Sequence, residues 1–453
     1  MAMTMREIVL CTALVFVIGV SVLNQTLNSS QSLSRGEHAS LSTTSSSHLY
    51  KQQKQGEHDR QLRLNNLQVI GTHNSYHREV SLPERVIFPS LMANVDPRVE
   101  DYYYSHASVH DQLEHQQVRS FEFDLYVDTH GGLFADPLIR RLANMSDADK
   151  QHYGLPKSAM GQPGTKVLHI ADADVGTICH TLVECLTQVK TWSETKHGQH
   201  VPIPILLEFK KTEPGIEKQG GVRAEDWTVE ALDRVDAEIR SVFSDDQLIT
   251  PDDIRKQAQH NINKNMNANY NNNNHNDNPA ITLEDAILSF EHGGGWPTLA
   301  SSRGKFFFVM DNEPTHPIQI RDPYRSGGRP NLEGRVIFTN SVPGEPDAAF
   351  IKRNDPIAGN NQREIQDLVA KGYFIRTRAD EPIQMILRDN GDAPAMRKAA
   401  LASGAHIVST DWAGAGVSAR YNSDYFVGLP GPARCNPVNA PSICEDEYLE
   451  ILT

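Results

Sequence analysis

Excess positive charge is missing from this chain. Its 453 residues carry 43 Lys and Arg against 57 Asp and Glu, a formal net charge of −14. That leaves no electrostatic footprint for nucleic acid. It also disfavours strong nonspecific attraction to anionic lipid, although a local basic patch is compatible with the total. Cysteine is scarce, with five residues and no C-x-x-C spacing of the kind that holds zinc. No G-x-S-x-G elbow occurs, and no Ser, Thr or Cys shows an activating signature for nucleophilic catalysis. Internal repeats and a second folded domain are also lacking.

One long apolar run exists, Ile8 to Leu23, uncharged and preceded by Arg6. Its 16 residues are long for a signal-peptide core and short for a membrane span, and no clean Ala-x-Ala site follows. The expectation is a signal peptide or signal anchor over 1–27, with Arg6 holding the N-terminal end in the cytosol. The rest of the chain is then secreted, or anchored to the outer, non-cytosolic face of a membrane. Residues 28–60 are rich in Ser, Thr, Gln and His, bury little apolar surface, and are expected to form a disordered stalk. Sequons at Asn24, Asn28 and Asn144 agree with export. With Cys11 inside the apolar run, Cys179, Cys185, Cys435 and Cys444 remain. An even number in an exported chain predicts two disulfides, and the local pairs Cys179–Cys185 and Cys435–Cys444 are the simplest of the three connectivities.

From 61 to 440, apolar runs of strand type alternate with amphipathic helical stretches. The expected strands are Leu67–Gly71, Ser120–Leu125, Lys166–Ile170, Pro204–Phe209, Lys305–Asp311, Arg335–Thr339, Gly372–Arg376 and His406–Thr410. Helical spacing marks Leu182–Trp192, Trp227–Val242 and Arg363–Lys371. Alternation of this kind implies a parallel sheet, and eight strands imply an α/β fold of (β/α)8 TIM-barrel type with long loop insertions. An Asn-rich tract at about 258–279 reads as a disordered insertion in a surface loop. The Pro-rich end from Asp424 is expected to wrap the barrel, with 441–453 as its tail.

Polar groups cluster where the strand-like runs end. His73 and Asn74 follow Val69-Ile70-Gly71-Thr72. Glu122 and Asp124 alternate with Phe121, Phe123 and Leu125. His169 closes Val167-Leu168, Glu208 closes Ile205-Leu206-Leu207 with Lys210 two residues on, and Asp311 closes Phe307–Met310. Strand ends are where a parallel barrel builds its active site. Glu122 and Asp124, two apart, share one face. Two buried carboxylates repel and lose hydration, which a bound cation relieves. Taken alone, each group has a plainer reading: Asn74 as a helix cap, His169 as a core histidine, Glu208 as a partner of Lys210. Together, one Asn and three carboxylates suit Ca2+ rather than Zn2+. Two histidines are then free for proton transfer, an inventory that fits phosphodiester cleavage.

The string Gly71-Thr72-His73-Asn74-Ser75-Tyr76, followed by Glu122-x-Asp124, His169 and Glu208, resembles the phosphatidylinositol-specific phospholipases C. The likeness is to their secreted, calcium-dependent, microbial branch and spans roughly residues 64 to 440. Gly304–Asn312, Arg376-Thr377-Arg378-Ala379-Asp380, Ile407–Asp411 and the cysteines around Cys179–Cys185 extend it. The resemblance implies His73 and His169 as the catalytic pair, and Asn74, Glu122, Asp124 and Glu208 as Ca2+ ligands. Lys210 and Arg376 become candidate contacts to the inositol or phosphate. It further implies a phosphatidylinositol-type lipid at a membrane surface as substrate and a monomeric enzyme. No EF-hand loop is present, so membrane contact falls to rim loops and the N-terminal segment. Two other readings stay open. Glycerophosphodiester phosphodiesterases share barrel, metal and histidines, but typically begin with His-Arg-Gly where this chain has His73-Asn74-Ser75. A non-catalytic lipid-headgroup-binding barrel predicts a damaged site, whereas these positions are intact.

Overall fold

The structure, a computed structural model, describes residues 50–153, 157–269, 281–289, 295–315, 318–381, 384–387 and 392–451. The chain divides into two compact units, Met1–Glu57 with Thr453, and His58–Leu452. In the first, residues 50–57 are helical; in the second, so are 58–61. The end of the expected stalk, 50–60, is therefore helix, in keeping with the good helix formers from Lys51 to Gln55. The rest of that stretch and the apolar run lie outside the described residues. Among the described residues no helix is long and apolar enough to cross a membrane.

The larger unit is a mixed α/β fold with parallel sheets. Its strands are β1 (Leu67–Thr72), β2 (Phe121–Tyr126), β3 (Lys166–Val167), β4 (Ile203–Phe209), β5 (Phe306–Met310), β6 (Ile337–Phe338), β7 (Phe350–Lys352), β8 (Phe374–Arg378), β9 (Ile407–Thr410) and β10 (Ala433–Cys435). They form two five-stranded sheets, ordered β3-β2-β4-β5-β6 and β10-β1-β9-β8-β7. All pairings are parallel except those of the edge strands β3 and β10. Single parallel bridges also pair Gly71 with Ser120 and Asn340 with Phe350. At the first of these the backbones crowd together. A Cβ on Gly71 would lie 2.9 Å from Ser120 Cβ, so only glycine fits.

Nearly every strand residue is buried, which explains why these strands read as continuous apolar runs. The expected helices appear as α1 (Leu182–Thr195), α2 (Val229–Val242) and α3 (Asn361–Lys371). Thr181 and Thr228 cap the first two, accepting from Glu184 N–H and Ala231 N–H. Gly372, at φ 110°, ends the third in the left-handed conformation. Leu182, Cys185, Leu186, Val189 and Trp192 line the buried face of α1 at helical spacing. Each such side chain removed from water stabilises the fold by about 1.5–3 kcal/mol.

Two strand expectations are corrected. Lys166–Ile170 shortens to β3 and runs antiparallel to β2. The chain turns back there, because Ile170 and Asp174 exchange backbone hydrogen bonds of 3.1 and 2.9 Å. The parallel set instead includes β7, only three residues long behind the turn Val342–Asp347 and too short to show periodicity. The Asn-rich tract is corrected in part. Helix Pro251–Asn269 runs into it, and 270–279 lies outside the described residues. Both local disulfides are present, Cys179–Cys185 and Cys435–Cys444.

Candidate active site

The turn after β1 is pinned by its backbone. His73 N–H donates to Thr410 C=O at 3.0 Å, and Ser75 N–H to Glu122 C=O at 3.0 Å, fixing the turn between β9 and β2. Between them Asn74 adopts φ 45°, a left-handed conformation that Asn tolerates better than most residues. His73 Nδ1 lies 2.8 Å from Asp411 Oδ1, and its Nε2 lies 3.6 Å from Glu122 Oε1. Asp411 is held in turn. Arg378 Nη2 is 3.1 Å away, and Asp411 N–H donates to Asp380 at 2.9 Å. Burial, and then Arg378, push the His73 imidazole well below its ordinary range.

Glu122 and Asp124 share one face of β2, as expected, and both are buried. The β2–β4 register sets Asp124 opposite Glu208. Carboxylate oxygens of Glu122, Asp124 and Glu208 lie within 4.8 Å of one another. Burial pushes Glu122 up to about 7, against the pull of Arg376. Asp124 is driven well above the usual carboxylate range by burial, against the pull of Lys210. Lys210 Nζ sits 3.2 Å from Asp124 Oδ2 and 3.3 Å from Glu208 Oε1, while Arg376 Nη2 is 2.7 Å from Glu122 Oε2. Asp124 Oδ1 and Asn74 Oδ1 are buried without a hydrogen-bond partner. Orphaned hard oxygen donors beside crowded carboxylates fit a calcium ion. Arg376, expected as a substrate contact, is fully buried and also bonds Asn354 Oδ1 and Ser409 Oγ.

His169 follows the short antiparallel β3, beside Asp124, whose C=O accepts from Leu168 N–H at 3.3 Å. Its Nδ1 lies 2.8 Å from Asp174 Oδ2, and His77 Nε2 lies 2.8 Å from that same oxygen. Burial lowers the His169 pKa. Burial would raise Asp174, but the two histidines outweigh it and hold Asp174 at about 2.

The partners Asp411, Asp174, His77 and Arg378 were not among the site residues expected from sequence. Asp411 carried a usable signal, because it closes β9 as Glu208 closes its own apolar run. Asp174 carried none, lying in a turn five positions past His169. Asp311, flagged as a strand end, is engaged by Lys352 Nζ at 2.6 Å.

The sequence profile of the Ca2+-dependent phosphoinositide phospholipase C family matches residues 62–437, and the chain belongs to that family. It is thus a phosphatidylinositol-specific phospholipase C, a phosphoric diester hydrolase dependent on calcium. No curated protein sequence matches it. Among solved structures it is similar to a calcium-dependent phosphoinositol-specific phospholipase C from a Gram-negative Pseudomonas species, in its apo form. The identity is 14%, with a TM-score of 0.43, covering 83% of this chain and 95% of that one. It is also similar to the Ca2+-dependent phosphatidylinositol-specific enzyme of Streptomyces antibioticus, at 15% identity and a TM-score of 0.44, covering 78% and 95%. The phosphatidylinositol-specific phospholipase C of Listeria monocytogenes matches at 11% identity and a TM-score of 0.36, covering 77% and 89%.

Proposed function

We propose that this chain cleaves phosphatidylinositol-type lipids to diacylglycerol and a cyclic inositol phosphodiester, with His73 and His169 as its acid–base pair. One observation carries the reading. Each imidazole holds a carboxylate through Nδ1, at 2.8 Å, beside a three-carboxylate cluster. The substrate's own neighbouring hydroxyl is the nucleophile, since no Ser, Thr or Cys carries an activating signature in the sequence. Its oxygen bonds to phosphorus while the bond from phosphorus to the diacylglycerol oxygen breaks. One histidine takes the hydroxyl proton and the other supplies a proton to the leaving oxygen. Proximity in such an intramolecular attack is worth up to about 7–11 kcal/mol.

Asn74, Glu122, Asp124 and Glu208 are the calcium ligands in this reading. Calcium supplies positive charge against the phosphorane-like transition state. Carboxylates committed to the cation leave Lys210, which is partly exposed, able to meet the phosphate or inositol. The framework proposed for the site is a closed barrel of eight parallel strands, β1, β2 and β4 to β9. The bridges Gly71–Ser120 and Asn340–Phe350 support closure, since they lie between the two sheets. Membrane contact is assigned to the rim loops. Leu82 and Val86, 73% and 78% exposed and one helical turn apart, follow β1, and Phe426, 41% exposed, follows β9. The enzyme is proposed to act as a monomer outside the cytosol, secreted or held by its N-terminal segment.

Phosphorus NMR of an early time point, with phosphatidylinositol as substrate and with or without EGTA, tests this reading. A cyclic phosphodiester formed only with calcium is expected. An acyclic phosphate appearing first, carrying ¹⁸O from water, would point to direct hydrolysis.

A further inference from the structure

One buried carboxylate oxygen serves two histidines. Asp174 Oδ2 lies 2.8 Å from both His77 Nε2 and His169 Nδ1. A carboxylate oxygen only accepts, so each of these nitrogens must carry the proton. For His169 that leaves Nε2 as the nitrogen whose proton can come and go.

His77 is built for rigidity. It is wholly buried, and its ring packs against Tyr104 with centroids 4.4 Å apart. Its backbone N–H donates to Asn74 C=O at 2.7 Å, and its C=O accepts from His106 N–H at 3.0 Å. The loop bearing Asp174 is fastened to the same strip of chain. His77 forms an antiparallel bridge with Thr177, and Arg78 N–H donates to Gly176 C=O at 3.1 Å. Gly176 is required there, since a Cβ would come within 2.0 Å of the Arg78 carbonyl oxygen. His169 and Asp174 in turn flank the turn closed by Ile170 and Asp174. By contrast the side chain of His169, at the end of this chain of contacts, is partly exposed.

We infer that His77 is a positioning residue. Acting through Asp174, it fixes His169 in the Nδ1–H tautomer with Nε2 presented for proton transfer. Without the second donor, Asp174 loses its aim, and His169 is free to turn or to move its proton to the other nitrogen. The inference rests on the proposed role of His169, and the two are separable by experiment.

The test uses the full chain loaded with calcium and labelled with ¹⁵N-histidine. The His169 resonances are identified by their loss in His169→Ala. In the unaltered enzyme His169 should show a proton on Nδ1 and a bare Nε2. His77→Ala should mix the tautomers and lower kcat by roughly 10–10²-fold, less than outright loss of an acid or base, with KM within about twofold. His77→Gln, whose amide N–H still donates to Asp174, should restore most of both. A proton on Nε2 in the unaltered enzyme overturns the proposal. So does His77→Ala with tautomer and kcat unchanged, or a stably folded His77→Gln that restores neither. If His169→Ala keeps near-normal kcat while His77→Ala still shifts the tautomer, the role given to His169 fails and the relay stands.

Discussion

His73 Nδ1 meets Asp411 Oδ1 at 2.8 Å across 338 positions of sequence, joining the turn after β1 to the end of β9. The contact leaves Nε2 turned toward Glu122. Removing the carboxylate by Asp411→Ala should therefore lower kcat by about 10²–10⁴-fold with little change in KM. Steady-state kinetics, with circular dichroism to confirm folding, check this. An unchanged kcat would show that Asp411 does not orient the histidine.

His73→Ala and His169→Ala should each abolish measurable turnover, again by about 10²–10⁴-fold. Both side chains reach solvent in part, so the space left by truncation opens to water rather than forming a closed cavity. Melting temperatures should stay within a few degrees of the unaltered protein. Near-normal turnover in either variant removes that histidine from the pair.

Glu122→Gln or Asp124→Asn should raise the calcium concentration needed for half-maximal activity. The same titration followed by thermal unfolding should show a smaller calcium-induced stabilisation. Activity that persists in excess EGTA would mean the cluster is not a required cation site.

Asp174 gives a pH signature. Its folded-state pKa of about 2 lies below the ordinary 3.8. A depressed carboxylate contributes stability that is present above the unfolded value and lost as pH falls through the folded one. The contribution is on the order of 2 kcal/mol. Denaturant unfolding should show the stability gap between the unaltered protein and Asp174→Asn narrowing from about pH 4 toward pH 2. A gap constant over that window would show that Asp174 is not selectively stabilised in its charged form.

The disulfides close short loops, with sequence separations of 6 and 9. Loop-closure entropy then assigns each roughly 2–3 kcal/mol. The native domain should offer no alkylatable thiol at Cys179, Cys185, Cys435 or Cys444 without reductant. Replacing Cys179 and Cys185 together by Ala should shift the urea midpoint down. Four reactive thiols would contradict both pairings.

The parallel sheets were legible because strands buried on both faces leave unbroken apolar runs, as in Ile203–Phe209 and Phe306–Met310. The carboxylate cluster was legible for a related reason. Charges at Glu122, Asp124 and Glu208 interrupt or close such runs, where burial is costly without a purpose. Failure came where the elements are short. Phe350–Lys352 has too few residues to display a period, and Lys166–Ile170 looks like a strand until Ile170 turns back on Asp174. Arg376 shows the other limit. Its position at a strand was readable, but its commitment to Glu122 depended on a strand 254 residues away.

By itself the sequence determined the alternation of strand and helix, the acidic balance, the cysteine set and the residue types that gather at strand ends. These follow from local composition and periodicity, which act along the chain. Only the tertiary structure decided which carboxylate holds which histidine, that one oxygen of Asp174 serves both His77 and His169, and that Lys210 bridges Asp124 and Glu208. Those pairings depend on register between distant strands and on turns that fold back, and a difference of a few ångströms there decides between a hydrogen bond and none.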